Sequence, residues 1–179
     1  DAGILHGAGR EDIDALCYGT GRPFVMEMAN PKIRTADLRE LEEAINKSAM
    51  PEVEVRLESW SNKKTVEMLK SHKGHKTYRI LVSVDDRISL ENVQNAVSKL
   101  NGAWIAQRTP NRVSHRRADL VRKRQVIGIQ VLGIENGLYR LEVVGDSGLN
   151  IKELISGDEG RTSPSLSEIL AAPAKVTEL

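Results

Sequence analysis

The dipeptide Asn136-Gly137 constrains the fold of this chain more than any other short stretch. It separates two apolar runs, QVIGIQVLGI at residues 125–134 and LYRLEVV at 138–144. Asn-Gly fits the type I′ turn between neighbouring antiparallel strands, because both residues tolerate a positive φ. We therefore predict a β-hairpin around this turn, within a mostly antiparallel sheet.

The spacing of apolar residues predicts the other strands and helices. Short or alternating apolar runs predict strands at residues 23–30, 53–60 and 76–84. Helical spacing predicts a helix capped by Thr35 that ends before Pro51, a short helix at 62–70, and helices capped by Ser89 and Ser165. Together they predict an α+β fold with helices packed on the sheet, in one domain spanning residues 1–179.

Composition excludes some classes of protein without naming one. The 179 residues carry 26 Lys and Arg against 25 Asp and Glu, so the net charge of +1 indicates no partner. Aromatic residues make up 3%, fewer than a protein needs to bind single strands mainly by base stacking. Cys17 is the single cysteine, which favours a reducing compartment such as the cytoplasm. No apolar run is long enough for a membrane span.

Positive charge is concentrated in RTPNRVSHRRADLVRKR, residues 108–124, which we call the basic segment. It holds seven Lys and Arg and one acid. It is either a solvated loop or a loop that contacts phosphate, because like charges repel unless a polyanion neutralises them. We favour phosphate contact. The guanidinium group of Arg can donate two parallel hydrogen bonds to phosphate oxygens. The strongest candidates for phosphate contact are therefore Arg116, Arg117, Arg122 and Arg124.

The stretch AGREDIDALCYGTGRPF, residues 8–24, has neither a helix period nor a strand period. It places Asp12 and Asp14 between Arg10 and Arg22. It matches neither a Walker A motif nor a dinucleotide fingerprint. The stretch is either a charged surface loop or a loop whose cations keep a carboxylate ionised, and such a carboxylate can serve as nucleophile or base.

Other kinds of site find less support. The four histidines have no HExxH or HxxxH spacing and Cys17 has no partner cysteine, so no metal site is predicted. No GxSxG elbow supports a serine hydrolase. Tyr78 lies on an apolar strand face and is by default a core tyrosine. Lys152, flanked by Ile151 and Leu154, is a partly buried cation that needs an anion.

Four stretches together resemble one family: AGREDIDALCYGTGRPF, RTPNRVSHRRADLVRKRQV, GLNIKELISGDEGRT and SPSLSEIL. Over residues 6–170 the chain is similar to the catalytic domain of the archaeal and eukaryotic tRNA pseudouridine synthases that modify the tRNA T-loop. Gly-Arg-x-Asp is shared broadly among pseudouridine synthases, whereas GREDxD…GxGRPF and TPxRVxHRR are specific to this family. The resemblance implies the pseudouridine synthase fold, with a central mixed, mostly antiparallel sheet, flanking helices and a catalytic cleft.

The resemblance also implies roles for single residues. Asp12 matches the catalytic aspartate, Tyr78 the tyrosine that contacts the target uracil, and Lys152 the cation that pairs with that aspartate. Ile151 matches the apolar residue under the base, and Leu154 is expected to share that floor.

By the same resemblance, the basic segment is expected to grip RNA, and Arg10 and Arg22 to neutralise Asp12 or contact nearby phosphates. The RNA-binding residues implied in this way are Arg108, Arg112, His115, Arg116, Arg117, Arg122, Lys123 and Arg124.

The resemblance implies an enzyme that isomerises a T-loop uridine to pseudouridine, with tRNA as its partner and without metal or organic cofactor. Two alternatives stay open: a degenerate relative that binds structured RNA without catalysis, and an unrelated phosphate-handling enzyme. Family members usually carry an N-terminal RNA-binding domain, so we expect a truncated catalytic domain; a monomer is favoured. Asn150 stands where the family usually has an aromatic residue.

Overall fold

The computed structural model describes residues 3–9, 15–71 and 74–179. The chain forms two compact units, with described residues 3–9 and 18–71 in the first and 15–17 and 74–179 in the second. The assignment of residues 1–179 to one catalytic domain stays a prediction. Tyr78, Lys152 and the basic segment all belong to the second unit.

The first unit contains a two-stranded antiparallel sheet and two helices. Strand β1 (Gly3–Gly7) pairs with β2 (Phe24–Met28), which confirms the strand predicted at residues 23–30. The helices are α1 (Leu38–Ala49) and α2 (Lys63–Ser71), and both were predicted from apolar spacing.

The N-cap of α1 differs from the prediction. Asp37 caps the helix instead of Thr35, because the Asp37 carboxylate accepts hydrogen bonds from the N–H groups of Arg39 and Glu40 at 2.8 and 3.1 Å. Asp and Thr are both good N-caps, but Asp37 directly precedes the first helical residue, whereas Thr35 lies two positions earlier.

The strand predicted at residues 53–60 is wrong, since this fully described segment pairs with no other strand. Side chains of α1 form hydrogen bonds with the backbone of this segment, as a partner strand would. The Asn46 amide donates to the carbonyl of Val55 at 2.8 Å and accepts from its N–H at 2.7 Å, and Glu42 accepts from the N–H of Leu57. Alternation of apolar residues could not show which groups would satisfy the backbone of this segment.

A six-stranded sheet forms the centre of the second unit, in the order β7-β4-β5-β6-β3-β8, and each of these neighbours pairs antiparallel. The strands are β3 (Lys76–Val84), β4 (Trp104–Arg108), β5 (Val121–Glu135), β6 (Leu138–Gly145), β7 (Thr162–Ser163) and β8 (Ala174–Glu178). The predicted strand at 76–84 is confirmed as β3, whereas β4, β7 and β8 were not predicted.

The hairpin predicted from Asn136-Gly137 is confirmed. It joins β5 to β6, with Glu135 opposite Leu138 across the turn. Asn136 and Gly137 have φ angles of 51° and 78°, the left-handed pair that a type I′ turn requires.

Helices α3 (Leu90–Leu100), α4 (Ile151–Ser156) and α5 (Leu166–Leu170) complete the second unit. The predicted caps Ser89 and Ser165 are confirmed, and Ser165 forms a full capping box with Glu168. The buried core combines one face of the sheet with apolar residues of all three helices. Its fully buried members include Val93 of α3, Leu154 of α4 and Leu166 of α5.

Gly157 ends α4 in the left-handed conformation, with φ 80°. A Cβ atom at this position would lie 2.7 Å from the hydroxyl oxygen of Ser165, which caps α5. Gly160 has a similar φ of 84°, but nothing lies within 4 Å of the place that a Cβ atom would take there. A substitution at Gly160 therefore tests backbone strain alone, whereas a substitution at Gly157 tests strain together with crowding of Ser165.

We predict that Gly157→Ala destabilises the protein by about 2–3 kcal/mol, from left-handed strain plus a disturbed cap. Gly160→Ala, which carries the strain alone, should cost about 1 kcal/mol. Urea denaturation of both variants checks this, and equal losses would contradict the crowding of Ser165.

Candidate active site

Helix α4 presents the residues of the late motif, LNIKELISG. Ile151, Leu154 and Ile155 share the apolar face and are buried in the core, and Gly157 ends the helix after six residues. Lys152 is half-buried. Leu154 is 0% exposed and belongs to the core, and its expected place beneath the base stays a prediction.

Tyr78 lies on the inner face of β3, opposite Val143 of β6. It is half-buried and packs against the core, in line with its default interpretation from sequence. The side chain of Leu149, just before α4, fills the space above Gly145, where a Cβ atom would collide with it. Gly145 is two residues from Val143 along β6, so Tyr78 and the start of α4 lie at the same end of one sheet face.

Two polar links hold α4. The buried Gln107 amide donates to the carbonyl of Asn150 at 2.9 Å and accepts from the Asn150 backbone N–H at 2.8 Å. Three residues later, Glu153 accepts from Arg112 Nε at 2.7 Å, and its side chain is only 5% exposed. The links flank Ile151 and Lys152 on both sides.

The basic segment is more ordered than the predicted loop. Arg108 ends β4, residues Asn111–Arg116 form a 3₁₀ helix, and residues 121–124 begin β5. The Thr109 hydroxyl donates to the carbonyl of Ala118 at 2.7 Å and accepts from the N–H of Leu120 at 3.1 Å. The segment folds back because this buried hydroxyl satisfies its backbone.

Acidic partners compensate part of the positive charge. Asp119 pairs with Arg108 and with Arg161, each at 2.6 Å, while Arg112 pairs with Glu153. The hydrogen bond from Arg108, aided by the nearby charge of both arginines, holds the pKa of Asp119 below its usual value. Arg108 and Arg112 therefore have structural partners within the protein.

Strand β5 distributes the last three cations over two faces. Arg122 lies opposite Gln107 and Arg124 opposite the buried Ile105, so both lie on the side of α4. Lys123 lies opposite Ala106, on the outer face. His115, Arg116 and Arg117 are exposed where the 3₁₀ helix ends.

Arg124 packs against the backbone of Gly148, in the turn before α4. Its Nε lies 3.3 Å from the position that a Cβ atom would take at Gly148. This Nε is buried and has no hydrogen-bond partner among the described residues. The contact explains why a glycine with φ 85° occupies this position.

Of the four candidate residues in the stretch 8–24, the structure describes only Arg22. Arg10, Asp12 and Asp14 lie outside the described residues. Arg22 lies in the first unit, two residues before β2, and is half-buried. The convergence of Asp12, Tyr78 and Lys152 therefore stays a prediction.

Sequence reasoning missed several residues that shape this site. Gln107, Thr109 and Glu153 are buried and polar, and they hold the basic segment and α4 in place. Asp119 had one signal, because it is the single acid in the basic segment. Arg161 lies in SGDEGR, and its pairing with Asp119 gave no signal, because the two residues lie 42 positions apart in the sequence.

A cavity of about 520 Å³ opens beside the basic segment. Its lining includes Arg108, Val121, Glu159 and Arg161, but not Tyr78, Ile151 or Lys152. It mixes one acid with arginines that already have partners, so we do not regard it as the active site.

Across residues 3–9, 15–71 and 74–179, no three His, Cys, Asp or Glu side chains are grouped as metal ligands. In the same part of the chain, every helix is too short or too polar to cross a membrane.

The family model described as "Pus10, C-terminal" matches residues 1–179. The tRNA pseudouridine synthase Pus10 of Methanothrix thermoacetophila is 47% identical over 176 residues, covering 98% of this chain and 39% of the relative. The tRNA pseudouridine synthase Pus10 of Korarchaeum cryptofilum is 46% identical over 178 residues, covering 98% of this chain and 48% of the relative. The chain thus spans less than half the length of these relatives.

Among solved structures, a chain of the Cbf5–Nop10–Gar1 complex matches with a TM-score of 0.51 and 23% identity. The match covers 64% of this chain and 32% of that chain. A likeness at this identity concerns the fold alone. With the antiparallel sheet and its flanking helices, it confirms the α+β pseudouridine synthase fold expected from the sequence.

We predict that Asp119→Asn lowers stability at neutral pH, because it removes the carboxylate that joins Arg108 to Arg161. The folded-state pKa of Asp119 lies below its unfolded value, so the carboxylate contributes above the unfolded pKa and loses this contribution as pH falls through the folded pKa. Urea midpoints of wild type and variant should therefore converge in acid. Asp86→Asn, which alters an exposed carboxylate, is the control; a difference independent of pH would contradict this role.

Proposed function

Because this chain belongs to the Pus10 C-terminal family, we propose that it forms the catalytic part of a tRNA pseudouridine synthase acting on a T-loop uridine. The family match carries this proposal, since it extends over residues 1–179 and so includes every candidate site residue. The two relatives described above, which bear the name tRNA pseudouridine synthase, align with 98% of the chain. The single cysteine, exposed and free, suits a reducing compartment such as the cytoplasm.

In this proposal, Asp12 is the catalytic carboxylate. Isomerisation breaks the N-glycosidic bond of uridine, turns the uracil and joins its carbon 5 to the ribose. Positive charge develops on the ribose as the bond breaks, and an ionised carboxylate stabilises or traps it, as in glycosidases. Lys152 pairs with Asp12 and keeps it ionised, because a neighbouring cation favours the charged form of a carboxyl group.

Tyr78 and Ile151 hold the uracil while it turns. Tyr78 is half-buried at the end of the sheet face where α4 begins, so it offers an aromatic ring with a polar tip. To complete the reaction, carbon 5 loses its proton and N1, freed from the ribose, takes up a proton; Asp12 or Tyr78 provides the base. The target base must leave its stack in the folded T-loop, as nucleobase chemistry generally requires.

RNA contact is assigned to the cations that the protein leaves exposed or places beside α4. Arg116 and Arg117 are exposed, and Arg122 and Arg124 lie on the inner face of β5. Arg108 and Arg112 are engaged with Asp119 and Glu153. In this proposal, Arg108 and Arg112 stabilise the fold, and the other four arginines of the basic segment contact RNA.

We predict that Asp12→Ala lowers the single-turnover rate of tritium release from tRNA labelled at carbon 5 of uridine by at least about a hundredfold. Affinity for tRNA should stay close to that of wild type, because a single carboxylate contributes little to phosphate contact. The complete gene product should be used. Binding without release by wild type would favour the non-catalytic alternative, and a metal requirement would favour the phosphate-handling enzyme.

Arg122→Ala and Lys123→Ala form a matched pair, because the two cations are neighbours on opposite faces of β5. Arg122→Ala should weaken tRNA binding and reduce the slope of log K against log salt by about 1, as the loss of one phosphate contact does. Lys123→Ala should change both less. Filter binding over a salt series measures this, and a larger effect of Lys123→Ala would refute the assignment of the phosphate contact to Arg122.

A further inference from the structure

We propose that Arg112 and Glu153 are positioning residues, which act through helix α4 to set the place of Lys152. The proposal rests on the function proposed above, since Lys152 is taken as the cation that pairs with the catalytic carboxylate. The sequence motifs assign no role to Glu153 and only an expected RNA contact to Arg112.

Glu153 is placed where a carboxylate is costly. Its side chain is 5% exposed, and Ile151, Leu154 and Ile155 beside it belong to the apolar core. A buried carboxylate must be paired, and Arg112 does this from the 3₁₀ helix at 2.7 Å through Nε and 3.5 Å through Nη2. Breaking such a link would release α4 or leave a buried charge unpaired.

Helix α4 is too short to hold its own position. It has six residues, fewer than an isolated helix needs in water. Tertiary links must therefore fix it, and these lie at Asn150 on one side of Lys152 and at Glu153 on the other. Lys152 sits between two anchored residues, so its backbone has little freedom to move.

The two residues that anchor α4 lie close in sequence to the candidate RNA contacts. Gln107 lies in β4 just before the basic segment, and Arg112 lies inside it. The same stretch of chain thus holds Lys152 and presents Arg116 and Arg117. We infer that the Arg112–Glu153 pair tunes the chemical step, whereas the exposed arginines tune affinity.

Glu153→Gln tests this in the complete gene product, because it keeps the shape of the side chain and removes its charge. The single-turnover rate of tritium release should fall at least about tenfold, since a displacement of about 1 Å can cost a hundredfold. The Kd for tRNA should change less than about twofold. Glu142→Gln is the matched control, because Glu142 pairs with Arg79 at 3.3 Å on the outer part of the same sheet.

A double-mutant cycle with Lys152→Ala separates positioning from general destabilisation. If Glu153 acts through Lys152, Glu153→Gln should have little further effect on the rate in the Lys152→Ala background. Additive losses would overturn the proposal, as would an unchanged rate in an active enzyme. If Glu153→Gln fails to fold, Arg112→Lys, which keeps the charge but not the fork, should show the same cycle at smaller amplitude. Absence of release by folded wild type would instead refute the proposed function.

Discussion

Burial of one face of the six-stranded sheet is the constraint on which the rest of the second unit depends. Ile80, Val82, Leu141 and Val143 fill the middle of that face, and α3, α4 and α5 cover it. At one end of this face, Tyr78 is half-buried and the side chain of Leu149 covers Gly145. The candidate residues Tyr78 and Ile151 lie at this end and contact the core.

Local signals predicted the parts of the fold that local physics determines. The Asn136-Gly137 turn and the Ser89 and Ser165 caps are set by residues a few positions apart, so sequence was sufficient. A strand needs a partner, and for this reason residues 53–60 were misassigned and β8 was missed. In the candidate site, the family resemblance named Tyr78, Ile151 and Lys152, and their roles stay predictions. The links from Gln107 to Asn150 and from Arg161 to Asp119 could not be found, because they join residues 43 and 42 positions apart.

The cations concentrated in the basic segment have two kinds of role in the fold. Seven cations among seventeen residues suggested a single polyanion-binding loop. In the fold, Arg108 and Arg112 stabilise the protein through Asp119 and Glu153. The strand period then separates Lys123 from Arg122 and Arg124. A charge count cannot resolve these roles, since it carries no information on which side chains meet an acid.

The two edges of the six-stranded sheet differ from its long central strands. β7 has two residues, and β8 pairs with β3 through an irregular register between Leu81 and Val82. β8 also exposes the charged side chains of Lys175 and Glu178. A short strand, a bulge and edge charges all oppose the addition of a foreign strand. The sheet can therefore remain open at both sides without becoming a template for aggregation.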